Sequence, residues 1–120
     1  MSIHTEPKHL GDVLLVEVAS GWTKDRGAYA QHAEPYEVGT VLSLVNGKYQ
    51  RYDQANKDAP AAVAAERIDA TGGDAPGVVI ARGATVARDE LIWPAALTDA
   101  QKATAFTRLE ARGIVAHAPL

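Results

Sequence analysis

Two neighbouring acids, Asp89 and Glu90, run directly into Leu91-Ile92-Trp93-Pro94. A carboxylate pair beside an aromatic wall is the minimum equipment of a small hydrolase. Such a pair must converge on one scissile bond, one group as acid and one as base or nucleophile. Adjacent residues on an extended strand point to opposite faces, which sets these two carboxylates against that task. The other reading is a structural join. In it Asp89 and Glu90 are solvated charges at the end of a strand, since acids are seldom buried unpaired. Leu91 or Ile92 and Trp93 are anchors in the core or an interface. Pro94 forces Trp93 towards extended geometry and turns the corner.

The remaining candidates for chemistry are sparse. The histidines are His4, His9, His32 and His117, and none pairs at the i, i+4 spacing of a zinc-binding helix. Ser2, Ser20 and Ser43 are the serines, and none lies in a nucleophile-elbow pattern. Gly72-Gly73-Asp74-Ala75-Pro76-Gly77 is rich in glycine. It lacks the Lys-Ser/Thr pair and following helix of a phosphate loop, so it reads as a strand connection. No cofactor and no metal is expected. A small β-rich ligand-binding module remains as a rival, with Trp22, Trp93 and the tyrosines lining its site.

Composition narrows the classes further. A chain of 120 residues suits one domain. It contains no cysteine, which removes thiol catalysis, disulfides and cysteine-ligated metals. The net charge of −3 has both signs interspersed. No basic stripe exists to neutralise a row of phosphates, so no direct nucleic-acid partner is expected. No apolar stretch is long enough for a bilayer and no secretory signal is visible, so no membrane partner is expected and synthesis is placed in a cytoplasm. With one Phe, one Met and many alanines, the core must be built from small and branched side chains.

The elements that would position these residues follow from local signals. Residues 1–12 are polar and aperiodic, a flexible arm; residues 13–120 form a single domain. Val13–Val18 has strand length and composition, and Trp22–Pro35 reads as a loop with an extended part. Asn46-Gly47 between two β-rich runs predicts a hairpin over Val41–Tyr52, pairing Leu44 with Tyr49 and Leu42 with Arg51. Ala61–Ala70 favours helix by intrinsic propensity. Gly77–Ala81 is a strand, and Ala84–Ala87 continues extended. Thr98-Asp99-Ala100-Gln101 is a capping box opening a helix, with Ala103, Phe106 and Leu109 on one face and Gly113 as its stop. Ile114-Val115-Ala116 closes the chain as a strand.

The assembled order is "GTVLSLVNGKYQRYD" at 39–53, "IDAT" at 68–71, "GVVIARGATVARDELIWP" at 77–94 and "TDAQKATAFTRLEARGIVAH" at 98–117. It resembles the head decoration protein family of tailed bacteriophages, the lambda type. The match is densest over Leu91–Ala105 and loose over 13–35. The resemblance implies a mainly β fold with one short C-terminal helix, a β-clip-like bent β-ribbon, and a strand in place of the helix at Ala61–Ala70. It implies a homotrimer on the outer surface of the expanded capsid, at three-fold and quasi-three-fold sites, stabilising the shell against internal DNA pressure. Its partners would be itself and the major capsid protein; its location would be the virion. The resemblance also assigns Ser2, Ile3, His4, Thr5, Glu6 and Pro7 to a capsid-contact arm. Leu91, Ile92, Trp93 and Pro94 become anchors of the trimer or the core.

Overall fold

Two β assemblies share one core in the computed structural model, which describes residues 10–53, 60–94 and 97–117. The first is a closed five-stranded barrel of β2 (Lys24–Tyr29), β3 (Val41–Val45), β4 (Lys48–Arg51), β5 (Ala62–Ala64) and β6 (Ala75–Ile80), in the order β2-β4-β3-β5-β6. The second is a three-stranded sheet in which β7 (Ala84–Ala87) lies between β1 (Leu14–Glu17) and β8 (Ile114–His117). Single helical turns α1 (Leu10–Val13) and α2 (Ser20–Thr23) flank β1, and α3 (Asp99–Ala111) precedes β8. The chain is thus mainly β with a short C-terminal helix.

The Asn-Gly hairpin forms in the expected register, with Leu44 opposite Tyr49 and Leu42 opposite Arg51. Asn46 and Gly47 take φ of 52° and 79°, the left-handed pair of a turn that matches strand twist. The barrel closes through a connection that local signals do not announce. β2 pairs antiparallel with β6 along its whole length and parallel with β4 at Ala28 and Tyr29. The expected loop over Trp22–Pro35 therefore contains a central strand.

Side-chain alternation splits the apolar residues between two clusters. Val41, Val63 and Ile80 lie in register across three strands and face outwards, onto Val86, Leu109 and Ile114. Their neighbours Leu42, Ala62, Ala64 and Val79 join Tyr29, Tyr36 and Ile68 in a cluster made only of barrel strands and their connections. The rings of Tyr29 and Tyr36 meet edge to face at 5.1 Å. They fill the space that small residues on β5 leave.

That packing explains the alanine-rich run. Ala61–Ala65 are all buried, with Ala62–Ala64 as a short strand and Ile68 bridged to Tyr36. Burial overrides the helix propensity of alanine: no helix occurs over Ala61–Ala70, and the strand that the resemblance implied is present at Ala62–Ala64. Two further expectations change. Val13 ends the α1 turn instead of opening a strand and is fully buried; of the expected arm, Leu10, Gly11 and Asp12 are described. The capping box of α3 forms at Thr98 and Gln101, and Gly113 ends the helix at φ 84°. However, the buried pair on α3 is Ala105 and Leu109, Phe106 is half-buried, and Ala103 is exposed. Leu109 keeps its expected inward place, and Ala105, one turn before it, replaces Ala103 against the core.

Candidate functional site

The acids do not sit on a strand. Arg88–Glu90 is a 3-10 turn that follows β7, a correction to the strand alternation expected at Asp89 and Glu90. Gly39 approaches this turn closely: a Cβ there would strike the Glu90 carbonyl oxygen. Asp89 is exposed, and Glu90 is half-buried. Arg88 lays its guanidinium over the Phe106 ring at 4.5 Å, a cation–π contact. No group of three potential metal ligands occurs among the described residues. Asp89→Asn, at an exposed position, is expected to leave the fold intact, with unfolding shifted by less than about 0.5 kcal/mol; a denaturant titration checks this.

The four anchor residues behave differently from one another. Leu91 is buried in the shared core. Ile92 is half-buried and clamps the backbone, donating to the Gly39 carbonyl at 2.9 Å and accepting from Val41 N–H at 3.1 Å. Trp93 stands edge to face on Tyr52 at 6.2 Å and on Phe106 at 5.2 Å. It therefore ties the barrel to α3 inside one subunit. Pro94 accepts from Leu97 N–H at 3.2 Å, which forms the corner into the capping box. Ser2 to Pro7 lie outside the described residues.

The aromatic residues do not converge on one pocket. Trp93, Tyr36, Tyr52, His32 and Arg51 line one open cleft of about 560 Å³. Trp22, Tyr49 and Leu44 line another with Asp25, Arg82 and Arg112. In the first, Arg51 lies over the Tyr36 ring at 5.3 Å and donates to the Pro35 carbonyl at 2.7 Å. In the second, Arg82 donates to Asp25 at 3.0 Å and covers Trp22 at 5.9 Å. The hydrogen bond from Arg82 holds the Asp25 carboxyl below its usual range. Burial pushes the Tyr29 phenol upwards, and its hydroxyl donates to the Val78 carbonyl at 2.6 Å. The glycine-rich stretch is a connection only as far as Asp74, since Ala75, Pro76 and Gly77 already belong to β6; Asp74 binds Lys48 and accepts from Gln31 N–H.

The largest feature missed by sequence reasoning is a set of exposed apolar side chains. Leu15, Val16, Val18, Trp22, Leu44 and Val115 are each between 43% and 71% exposed. The run Val13–Val18 carried the signal, since it is apolar on both faces of an edge strand.

Trp93 thus ties the closed barrel to α3, beside a cleft that Arg88, Asp89, Asp99 and Lys102 also line. A family model for bacteriophage lambda head decoration protein D matches residues 3–114. The chain belongs to the lambda head decoration protein family. No curated protein and no solved structure gives a match. The decoration family is structural and not enzymatic, which places this member on the phage capsid as part of the virion. The match extends across residues 13–35, where resemblance by motif was loose. Among the described residues no helix of this decoration protein is long and apolar enough to cross a membrane.

Proposed function

We propose that the protein cements a phage head as a homotrimer. It binds the outer surface of the expanded capsid at three-fold and quasi-three-fold sites and holds neighbouring capsid subunits against the pressure of packaged DNA. The observation that carries this reading is the family match over residues 3–114. The physics is mass action. A protein that binds only the mature lattice stabilises it by its binding free energy, and three linked copies add avidity through effective concentration. The bent ribbon of the β-clip type belongs to the same reading, with the barrel and small sheet as its body.

The arm contributes by pairing edge-on with a capsid strand, where backbone hydrogen bonds supply affinity. Leu10 packs against the core, so the arm to remove is residues 2–9. Undecorated mature capsids are incubated with purified protein and imaged for density at three-fold sites. Filled sites are the expected result; bare sites at saturating protein count against the reading. Deleting residues 2–9 is expected to leave unfolding unchanged and weaken occupancy by about tenfold or more, about 1.4 kcal/mol. Undiminished occupancy rules the arm out as a contact.

A further inference from the structure

The open cleft of about 560 Å³ joins two kinds of lining. Tyr52, Trp93 and Pro94 supply apolar surface, while Arg51 and His32, both half-buried, supply basic groups. The two basic groups stand at one phenol. The Arg51 guanidinium lies 5.3 Å from the centre of the Tyr36 ring, and the His32 ring lies 5.8 Å from it.

Neither group is fully engaged. Arg51 Nη2 donates to the Pro35 carbonyl at 2.7 Å, while Nε is buried with no partner. Among the described residues no carboxylate pairs with Arg51. Asp53 lines the same cleft and has a partner of its own. The Glu34 N–H donates to His32 Nδ1 at 3.1 Å, which leaves no bond from that nitrogen to the Glu34 carbonyl at 3.2 Å. In the neutral ring the hydrogen therefore sits on Nε2, and that N–H bonds no described residue. A half-buried cation without a counter-ion is costly until something pairs with it. An unmet donor in such a place calls for a ligand or a water.

We propose that this cleft receives a carboxylate, the side chain of a glutamate or aspartate in a partner peptide segment. The carboxylate bridges the Arg51 guanidinium and the Nε2–H of His32, and charge-assisted bonds of this kind are strong and directional. An apolar neighbour in the same segment packs on Tyr52, Trp93 and Pro94. The openness of the cleft favours a peptide over a free metabolite. Sites for small molecules enclose most of the ligand, whereas a side chain presented by a partner brings further contacts outside the cleft. The proposal depends neither on the trimer nor on three-fold capsid sites.

The test uses the unaltered protein, labelled with the heavy nitrogen isotope for magnetic resonance. Burial shields the Arg51 Nε–H from exchange, so its signal is followed together with that of the Trp93 indole N–H. The probes are acetyl-Leu-Glu-Leu-amide, its neutral isostere acetyl-Leu-Gln-Leu-amide, and glutarate as a free carboxylate. The expected result is saturable movement of both signals with the glutamyl peptide. Its Kd should be about tenfold or more below that of the glutaminyl peptide, and glutarate should bind several-fold more weakly. His32→Ala should weaken the glutamyl peptide several-fold and leave the glutaminyl peptide unchanged. Equal responses to the two peptides overturn the recognition of charge. Movement that spares the Arg51 signal overturns the site. Glutarate binding as tightly as the glutamyl peptide overturns the peptide source. Unchanged glutamyl binding by a folded His32→Ala variant overturns the bridging role of His32. Absence of any movement overturns the proposal as a whole.

Discussion

Replacing Trp93 with alanine is expected to destabilise the isolated protein by about 3 kcal/mol. The ring touches both Tyr52 on the barrel side and Phe106 of α3. Its loss removes buried apolar surface and two edge-to-face contacts, each worth about 0.5–1.5 kcal/mol beyond area. Phe106 would also lose the neighbour that holds it under Arg88. For a chain of this size the melting temperature should fall by roughly 10 °C. Trp93→Phe keeps one ring and should lose less than half as much. The measurement is urea or thermal unfolding at low protein concentration. A purely intersubunit role for Trp93 predicts unchanged unfolding under those conditions, and that outcome would contradict the packing described here.

Gly39→Ala is expected to be comparably severe, about 3 kcal/mol or more. Gly39 sits at φ 95°, where an L side chain is strained. An added methyl would also meet the Glu90 carbonyl and, at 3.3 Å, the side chain of Val13. Neither neighbour can yield easily. Glu90 belongs to the 3-10 turn, and Val13 is fully buried. Gly47→Ala supplies the control: its φ is also positive, at 79°, but nothing lies within 4 Å of the added carbon. It should lose only about 1 kcal/mol. The difference between the two variants in a denaturant titration isolates the steric part. Equal losses would mean that the Gly39–Glu90 approach is unimportant.

How much of this was legible in the chain depends on the range over which each signal acts. Asn46-Gly47 and the Thr98–Gln101 box operate within four residues, and both appear where local chemistry puts them. The alanines of β5 carry no local β signal. Their strand exists because Tyr29 and Tyr36, some thirty residues earlier, need small neighbours. The parallel β2–β4 contact and the shift from Ala103 to Ala105 on α3 are likewise decided by what lies across the core. At the candidate site, an apolar run ended by proline marked Leu91, Ile92 and Trp93 as anchors without saying whether of the core or of an interface. The 3-10 turn at the acids was not readable: no local signal separates it from a continuing strand, and Gly39, which lies against the Glu90 carbonyl, is about fifty residues upstream. The exposed apolar side chains were legible only in part: Val13–Val18 is apolar on both faces, but hydrophobicity along a chain does not say which face of an edge strand meets water.

The position of β7 between the two ends of the chain has a consequence for how the protein is born. Strands β2 to β6 lie between residues 24 and 80 and can complete the barrel while the rest is still on the ribosome. β1 is synthesised first yet has no strand partner until Ala84–Ala87 emerges, and β8 joins last of all. Contacts of such long sequence separation form slowly. During that interval the apolar Leu14–Val16 segment waits unpaired, and unpaired strand edges invite aggregation. The polar residues ahead of it are well suited to keeping the nascent end in solution until its partner arrives.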